Sequence, residues 1–174
     1  MTDARRQRFW AAPYWLALLV PAGLLGGALV SQYLYGLPPC EMCWWQRYPH
    51  AAALVLGGAG FAVRSDWLVR LAALAILVSG AIGGFHAGVE YGWWEGLTRC
   101  ATNAVAGGDP LEAIMNAPVI RCDVAPWSLF GISLAGWNFL ISGAAGLAIL
   151  ALLGRAPSRH STKRTGQPKP GMTA

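Results

Sequence analysis

The fold class predicted by this sequence is an all-α membrane protein, a four-transmembrane-helix bundle, and three observations carry that reading. Of its 174 residues 55% are hydrophobic and only 12% charged, about half the charged share of a soluble domain. Four stretches of about 19–25 residues are nearly free of charge, and at about 1.5 Å per residue each can cross about 30 Å of hydrocarbon as a helix. None of the four reads as a helix with one polar stripe, which a soluble helical core would require.

The elements follow in order within a single domain. Residues 1–13 form a basic N-terminal segment. The first helix is expected over residues 14–34. It is too long for the apolar region of a cleavable signal peptide and lacks a small-residue cleavage site. Residues 35–44 make a short first outer loop. The second helix covers 45–63, and after a short basic link the third covers 68–89. Glycine and alanine are frequent in these helices and suit close packing in lipid. A longer outer loop, 90–128, precedes the fourth helix at 129–153. Inside that loop Asp109 is an N-cap candidate, Pro110 suits the first helical position and Glu112 completes a capping-box pattern. Leu111, Ile114 and Met115 then share one face, so the loop is expected to bear a short interfacial helix. The tail, 154–174, is polar, contains proline and has no hydrophobic period; it reads as disordered and cytoplasmic.

Charge orients the bundle. Of 13 lysines and arginines, all but Arg47, Arg99 and Arg121 lie in the N-terminal segment, the Arg64–Arg70 link or the tail. The positive-inside rule then puts both termini in the cytoplasm and both loops outside. The net charge of +5 is a topology signal; scattered over three segments, it makes a poor nucleic-acid footprint. Trp44, Trp45, Trp93, Trp94 and Trp127 fall at outer helix ends and Trp10, Trp15 and Trp67 at inner ends, as interfacial belts do.

All four cysteines, Cys40, Cys43, Cys100 and Cys122, fall in the two outer loops. Outside a bacterial inner membrane the compartment is oxidising and paired cysteines form disulfides. A Cys₄ zinc site fits poorly, because the close spacing of Cys40 and Cys43 is not repeated in the second pair. Covalent haem would need a histidine after Cys43, where Trp44 stands. Two structural disulfides remain open on the residues alone, in a scaffold or transporter without catalysis. Against them, a Cys-x-x-Cys ring is too short to gain much from loop closure. Arg47, four residues after Cys43, shares its helix face, where a guanidinium favours a thiolate and can donate to a bound oxygen; snorkelling to headgroups is the plainer alternative. His86 lies near the outer end of the third helix, with Glu90 one turn on, and an intramembrane histidine is a candidate for function.

Together these motifs resemble the disulfide bond formation protein B (DsbB) family of quinone-linked bacterial thiol oxidases. The resemblance rests on Cys-x-x-Cys followed by Gln46-Arg47-x-Pro49, on GGFHAGVEYGWWEGLTRC ending at Cys100, and on CDVAPWSLFGISLAGWN from Cys122. It implies a membrane protein-disulfide oxidoreductase that reoxidises a periplasmic, DsbA-like, thioredoxin-fold dithiol oxidase and passes the electrons to ubiquinone or menaquinone. It further implies the site roles. Cys100 takes the mixed disulfide with the partner, and Cys122 then attacks the Cys40–Cys43 bond. Cys43 is left as the thiolate facing the quinone, with Arg47 holding the quinone. His86, from its place within the span, is the other candidate for quinone binding, against a neutral histidine bonded to a helix carbonyl. No metal ligand is expected.

Overall fold

The computed structural model describes the backbone of residues 3–97, 101–102 and 119–155, with the side chains of 11–97 and 121–155. Four helices dominate it: α1 (Asp3–Tyr33), α2 (Glu41–Val63), α3 (Asp66–Glu90) and α4 (Leu134–Gly154). Two small antiparallel pairs join α3 to α4. In one, β1 (Ala101–Thr102) faces β2 (Val119–Ile120); in the other, β3 (Ser128–Leu129) faces β4 (Ile132–Ser133). Cys100, the helix expected near residues 109–117 and the tail from residue 156 lie outside the described residues.

Among the described residues three helices are long and apolar enough to cross a membrane: α1 through its Ala11–Tyr33 part, α3 and α4. The second helix has the length, at 23 residues, but Gln46, Arg47, Pro49 and His50 crowd its first half. Chemistry has displaced apolar residues there.

The element boundaries have local causes. Arg64, at φ 54°, closes α2 in the left-handed conformation, its N–H returning to the Gly60 carbonyl. Ser65 then caps α3, its hydroxyl accepting from the Leu68 N–H, so two antiparallel helices meet across two residues. The fourth helix starts at Leu134, where residue 129 had been expected. Phe130 and Gly131 both have positive φ, 53° and 76°, the backbone of a two-residue hairpin turn. That hairpin occupies residues 128–133, and Ser133 caps α4 by accepting from the Gly136 N–H at 3.1 Å.

The third helix packs along α2 and α4, and α1 closes the bundle against both. Contact is close because small residues stand in the seams: a Cβ on Gly57 would lie 3.0 Å from the Ala17 carbonyl oxygen. At the end that carries the α2–α3 link, Tyr14, Ala17, Ala53, Val69, Ala72, Ala73, Ile76, Ile149 and Leu153 form an apolar core. Tyr14 donates to Asp66 there, and Arg70 donates to the Leu153 carbonyl at 3.0 Å. The middle layer is polar: Gln46, His50, Ser79, Asn138 and Ser142 are buried, while Leu19, Val55, Val78 and Leu147 face outward. That arrangement inverts a soluble bundle and suits a hydrocarbon solvent. The opposite end holds Cys40, Cys43 and Cys122.

Candidate functional site

The loop after α1 leads through Pro38 and Pro39 to Cys40, whose extended backbone (φ −74°, ψ 174°) makes it the N-cap of α2. Its sulfur accepts from the Cys43 N–H at 3.3 Å. One cysteine thus caps the helix whose first turn carries the other, and the positive end of the helix dipole lies beside Cys43. The two sulfurs are 2.9 Å apart in hydrogen-bonding contact. Cys40 is buried with Met42 and Val89, and Cys43, Phe85 and Cys122 pack around them. The bond with Cys43, then burial, then contact with Cys122 raise the Cys40 thiol above its ordinary range. Negative charge on this pair is therefore disfavoured at Cys40. Beside Cys122, Arg121 donates to Asp123 (Nε to Oδ1 2.8 Å) and holds that exposed carboxyl below the usual range. Three of the four predicted cysteines are thus together, and Cys100 lies outside the described residues.

Arg47 is 8% exposed. Its Nη1 donates to Gln32 Oε1 at 2.6 Å and its Nη2 to the Ala28 carbonyl at 3.1 Å, both on α1, and it lies 4.8 Å from the centre of the Trp44 ring. A guanidinium held inward in this way is not snorkelling. His86 is also buried, its Nε2 3.6 Å from Cys40 Sγ and 3.6 Å from Glu90 Oε1. The approach to Glu90 is the one that their spacing of one helical turn anticipates.

Cys43, Arg47, His86 and Glu90 share the wall of a cavity of about 240 Å³. Its far side is α1, through Gly23, Gly27 and Ala28, and its floor is His50 and Asn138. Beneath it runs a chain of hydrogen bonds. Gln46 Nε2 donates to the Met42 carbonyl and to His86 Nδ1, at 3.1 and 2.9 Å. Asn138 Nδ2 donates to Gln46 Oε1 at 2.8 Å and to Ser79 Oγ at 3.1 Å. Asn138 Oδ1 accepts from Ser142 Oγ at 2.8 Å and lies 3.0 Å from His50 Nε2. In a membrane such polar groups must satisfy one another.

Cys40, Cys43 and His86 also bring three candidate metal-ligand atoms within 4.8 Å of one another. Two thiols and an imidazole are soft donors, one short of a closed tetrahedral site.

A cysteine pair at a helix start, packed against a third cysteine beside an arginine-lined cavity, is the arrangement of a thiol oxidoreductase. The family model described as Disulfide bond formation protein DsbB matches residues 10–153. The chain belongs to the DsbB family. It is 33% identical to a disulfide bond formation protein B of Verminephrobacter eiseniae over 152 residues, covering 80% of this chain and 84% of that protein. It is 31% identical to one from Paracidovorax citrulli over 163 residues, covering 84% and 90%. No solved structure matches it. Membership makes the chain a membrane disulfide bond formation protein, an oxidoreductase.

Of the residues expected from the sequence, Cys40, Cys43, Cys122, Arg47 and His86 are brought together here, while Ser79, Asn138 and Ser142 were not anticipated and His50 was given no role in the site. A signal was present. Gln46 and His50 stand four residues apart, as do Asn138 and Ser142, so each pair marks a short polar stripe on an otherwise apolar helix. The expectation that these helices carry no polar stripe is corrected on that point.

Proposed function

We propose that this chain reoxidises a DsbA-like, thioredoxin-fold dithiol oxidase and delivers the electrons to a membrane quinone through Cys43. The carrying observation is that Cys43, 2.9 Å from Cys40, lines the same cavity as Arg47. The cavity is just below the roughly 300–1,000 Å³ of sites for drug-sized ligands, a size suited to one substituted ring. Its glycine-rich α1 wall leaves room for a flat face, and Arg47 offers donors for a ring oxygen. Bound there, quinone supplies the acceptor for the two electrons and two protons released when two thiols become a disulfide.

The protein's own steps are thiol–disulfide exchanges. A thiolate of the reduced partner attacks the Cys100–Cys122 disulfide at Cys100, forming a mixed disulfide and releasing Cys122 as thiolate. The Cys122 thiolate attacks Cys40 and displaces Cys43, so a Cys40–Cys122 bond replaces Cys40–Cys43. Packing of Cys122 on Cys40 supports that choice of sulfur. The raised Cys40 thiol supports it too, because Cys43 is then the better leaving group. The helix dipole and Arg47 stabilise the Cys43 thiolate. The partner's second thiolate then resolves the mixed disulfide, leaving the partner oxidised and Cys100 as thiolate. Cys100 attacks Cys122 and displaces Cys40, which restores the Cys100–Cys122 bond and leaves Cys40 and Cys43 as the dithiol whose oxidation to the disulfide would give two electrons and two protons to a bound quinone. His86, beside Cys40 and on the cavity wall, is a second residue that would hold the quinone.

We place the four helices across a bacterial inner membrane, α2 included, with both termini cytoplasmic and the cysteine loops periplasmic. The length of α2 and the distribution of basic residues support this placement. Mixing the purified protein with a short-chain quinone and a reduced thioredoxin-fold oxidase, and following quinone absorbance, tests the reading. Turnover that requires both components supports it. Full thiol oxidation without quinone would sink it.

A further inference from the structure

Two imidazoles meet the cavity, and the hydrogen-bond chain beneath it fixes them in opposite senses. Gln46 Nε2 is a donor, so His86 Nδ1, 2.9 Å away, accepts and the His86 N–H is Nε2, turned toward Cys40 and Glu90. Asn138 Nδ2 is committed to Gln46 and Ser79, so Asn138 Oδ1 is an acceptor and His50 Nε2, 3.0 Å away, carries the hydrogen. In neutral His50 the remaining nitrogen, Nδ1, is then a bare lone pair. His50 is 3% exposed. Its Nδ1 is buried and has no hydrogen-bond partner among the described residues, although the ring lines the cavity with Arg47 and Cys43. A buried polar atom without a partner is disfavoured, most of all in lipid, so this one calls for a ligand group.

We propose that His50 Nδ1 is a contact for a quinone oxygen, the second alongside Arg47, and the atom that holds one of the protons destined for the ring. This rests on the quinone reading above and adds a residue to it. As the lone-pair form His50 accepts from a quinol hydroxyl; as the protonated form it donates to a quinone carbonyl. Oxidation of two thiols to a disulfide releases two electrons and two protons to the quinone. Passing one of those protons through His50 Nδ1 leaves the ring neutral, ready to take up the next. Asn138 is the positioning residue, holding His50 Nε2–H at 3.0 Å and so leaving Nδ1 as the lone pair.

Two isosteres separate this role from a structural one. The amide of asparagine overlies the Nδ1 position of histidine, and that of glutamine the Nε2 position. Wild type, His50→Asn and His50→Gln are titrated with a short-chain quinone in detergent by tryptophan quenching, with thermal unfolding recorded for each. His50→Gln keeps the Asn138 contact and should retain its melting temperature while losing about tenfold in quinone affinity, the size of one hydrogen bond. His50→Asn should melt lower yet bind within about threefold of wild type. With carbonyl-¹³C quinone, the infrared shift of one carbonyl should vanish in His50→Gln and the other persist. Equal quinone affinity and equal carbonyl bands in His50→Gln and wild type would overturn the His50 assignment and leave the quinone reading standing. No quinone binding by wild type would overturn both.

Discussion

At Arg47 two demands meet, since the guanidinium ties α2 to α1 through Gln32 and Ala28 and also borders the cavity beside Cys43. Lysine keeps the charge but cannot hold two acceptors and a ring oxygen in one plane. We expect Arg47→Lys to weaken quinone affinity about ten- to a hundredfold, the worth of a hydrogen bond to a charged group. Thiol exchange with the partner through Cys100 should be unchanged. Steady-state kinetics with varied quinone and varied partner decide it, and an unaltered quinone dependence would leave Arg47 only its structural tie. The cysteines divide in the same way. Cys43→Ser should stop quinone reduction while a mixed disulfide with the partner is still trapped on gels. Cys100→Ser should abolish the trap and leave the Cys40–Cys43 pair oxidisable by quinone. Loss of folding in both, with full turnover in whatever folded fraction remains, would favour plain structural disulfides.

At the scale of elements, the site depends on how closely α3 lies against α4 and α2. A Cβ on Gly83 would come within 2.9 Å of the Ala135 carbonyl oxygen, 3.0 Å of Asn138 Nδ2 and 3.1 Å of Gln46 Oε1. The last two atoms form one of the hydrogen bonds that join α2 to α4. A methyl group there meets backbone, which cannot swing aside, and overpacking of this kind costs about 1–3 kcal/mol. Gly83→Ala should therefore lower the melting temperature in detergent and weaken quinone binding at once. Gly143→Ala, where a Cβ meets nothing within 4 Å, is the control and should change neither. If Gly83→Ala melts and binds as wild type does, the hydrogen-bond chain does not govern the cavity. Such positions cannot be picked from sequence: Gly83 and Gly143 look alike until the neighbouring helices are in place.

For the molecule as a whole, orientation decides whether the cysteines can work at all. Ten of the basic residues lie in the N-terminal segment, the link after α2 and the tail, of 13 in the chain. A reporter fused after Arg155 should therefore report the cytoplasm, and one inserted near Asp109 the outside. A cytoplasmic Asp109 loop would put the cysteines in a reducing compartment and end the case for disulfide generation. The bundle is also graded along its length: apolar at the end with Tyr14 and Leu153, polar at Ser79 and Asn138, and sulfur-bearing at Cys40 and Cys122. That gradient puts the hydrogen-bond chain between the apolar core and the cysteine pair.

How much of this was legible beforehand follows from the range of the forces involved. Helix length, the crowding of basic residues on one side and the Cys-x-x-Cys pair with its arginine one turn on are properties of contiguous segments. They can be read from hydropathy, charge and the 3.6-residue period, and the family motifs fix their order. Sequence alone thus determined the helical membrane class, the three spans carried by α1, α3 and α4, and the cysteines, Arg47 and His86 as the residues to watch. What it could not determine was decided by packing between segments far apart in the chain. The α4 boundary moved to Leu134 because the Phe130–Gly131 turn lets β3 and β4 pair. The polar layer exists because Gln46 and Asn138 are 92 positions apart yet 2.8 Å distant. No local period encodes that meeting. Only the folded bundle turns a glutamine, an asparagine and two histidines from isolated polar residues in apolar helices into one hydrogen-bonded floor beneath a cavity, with His50 Nδ1 left to complete it.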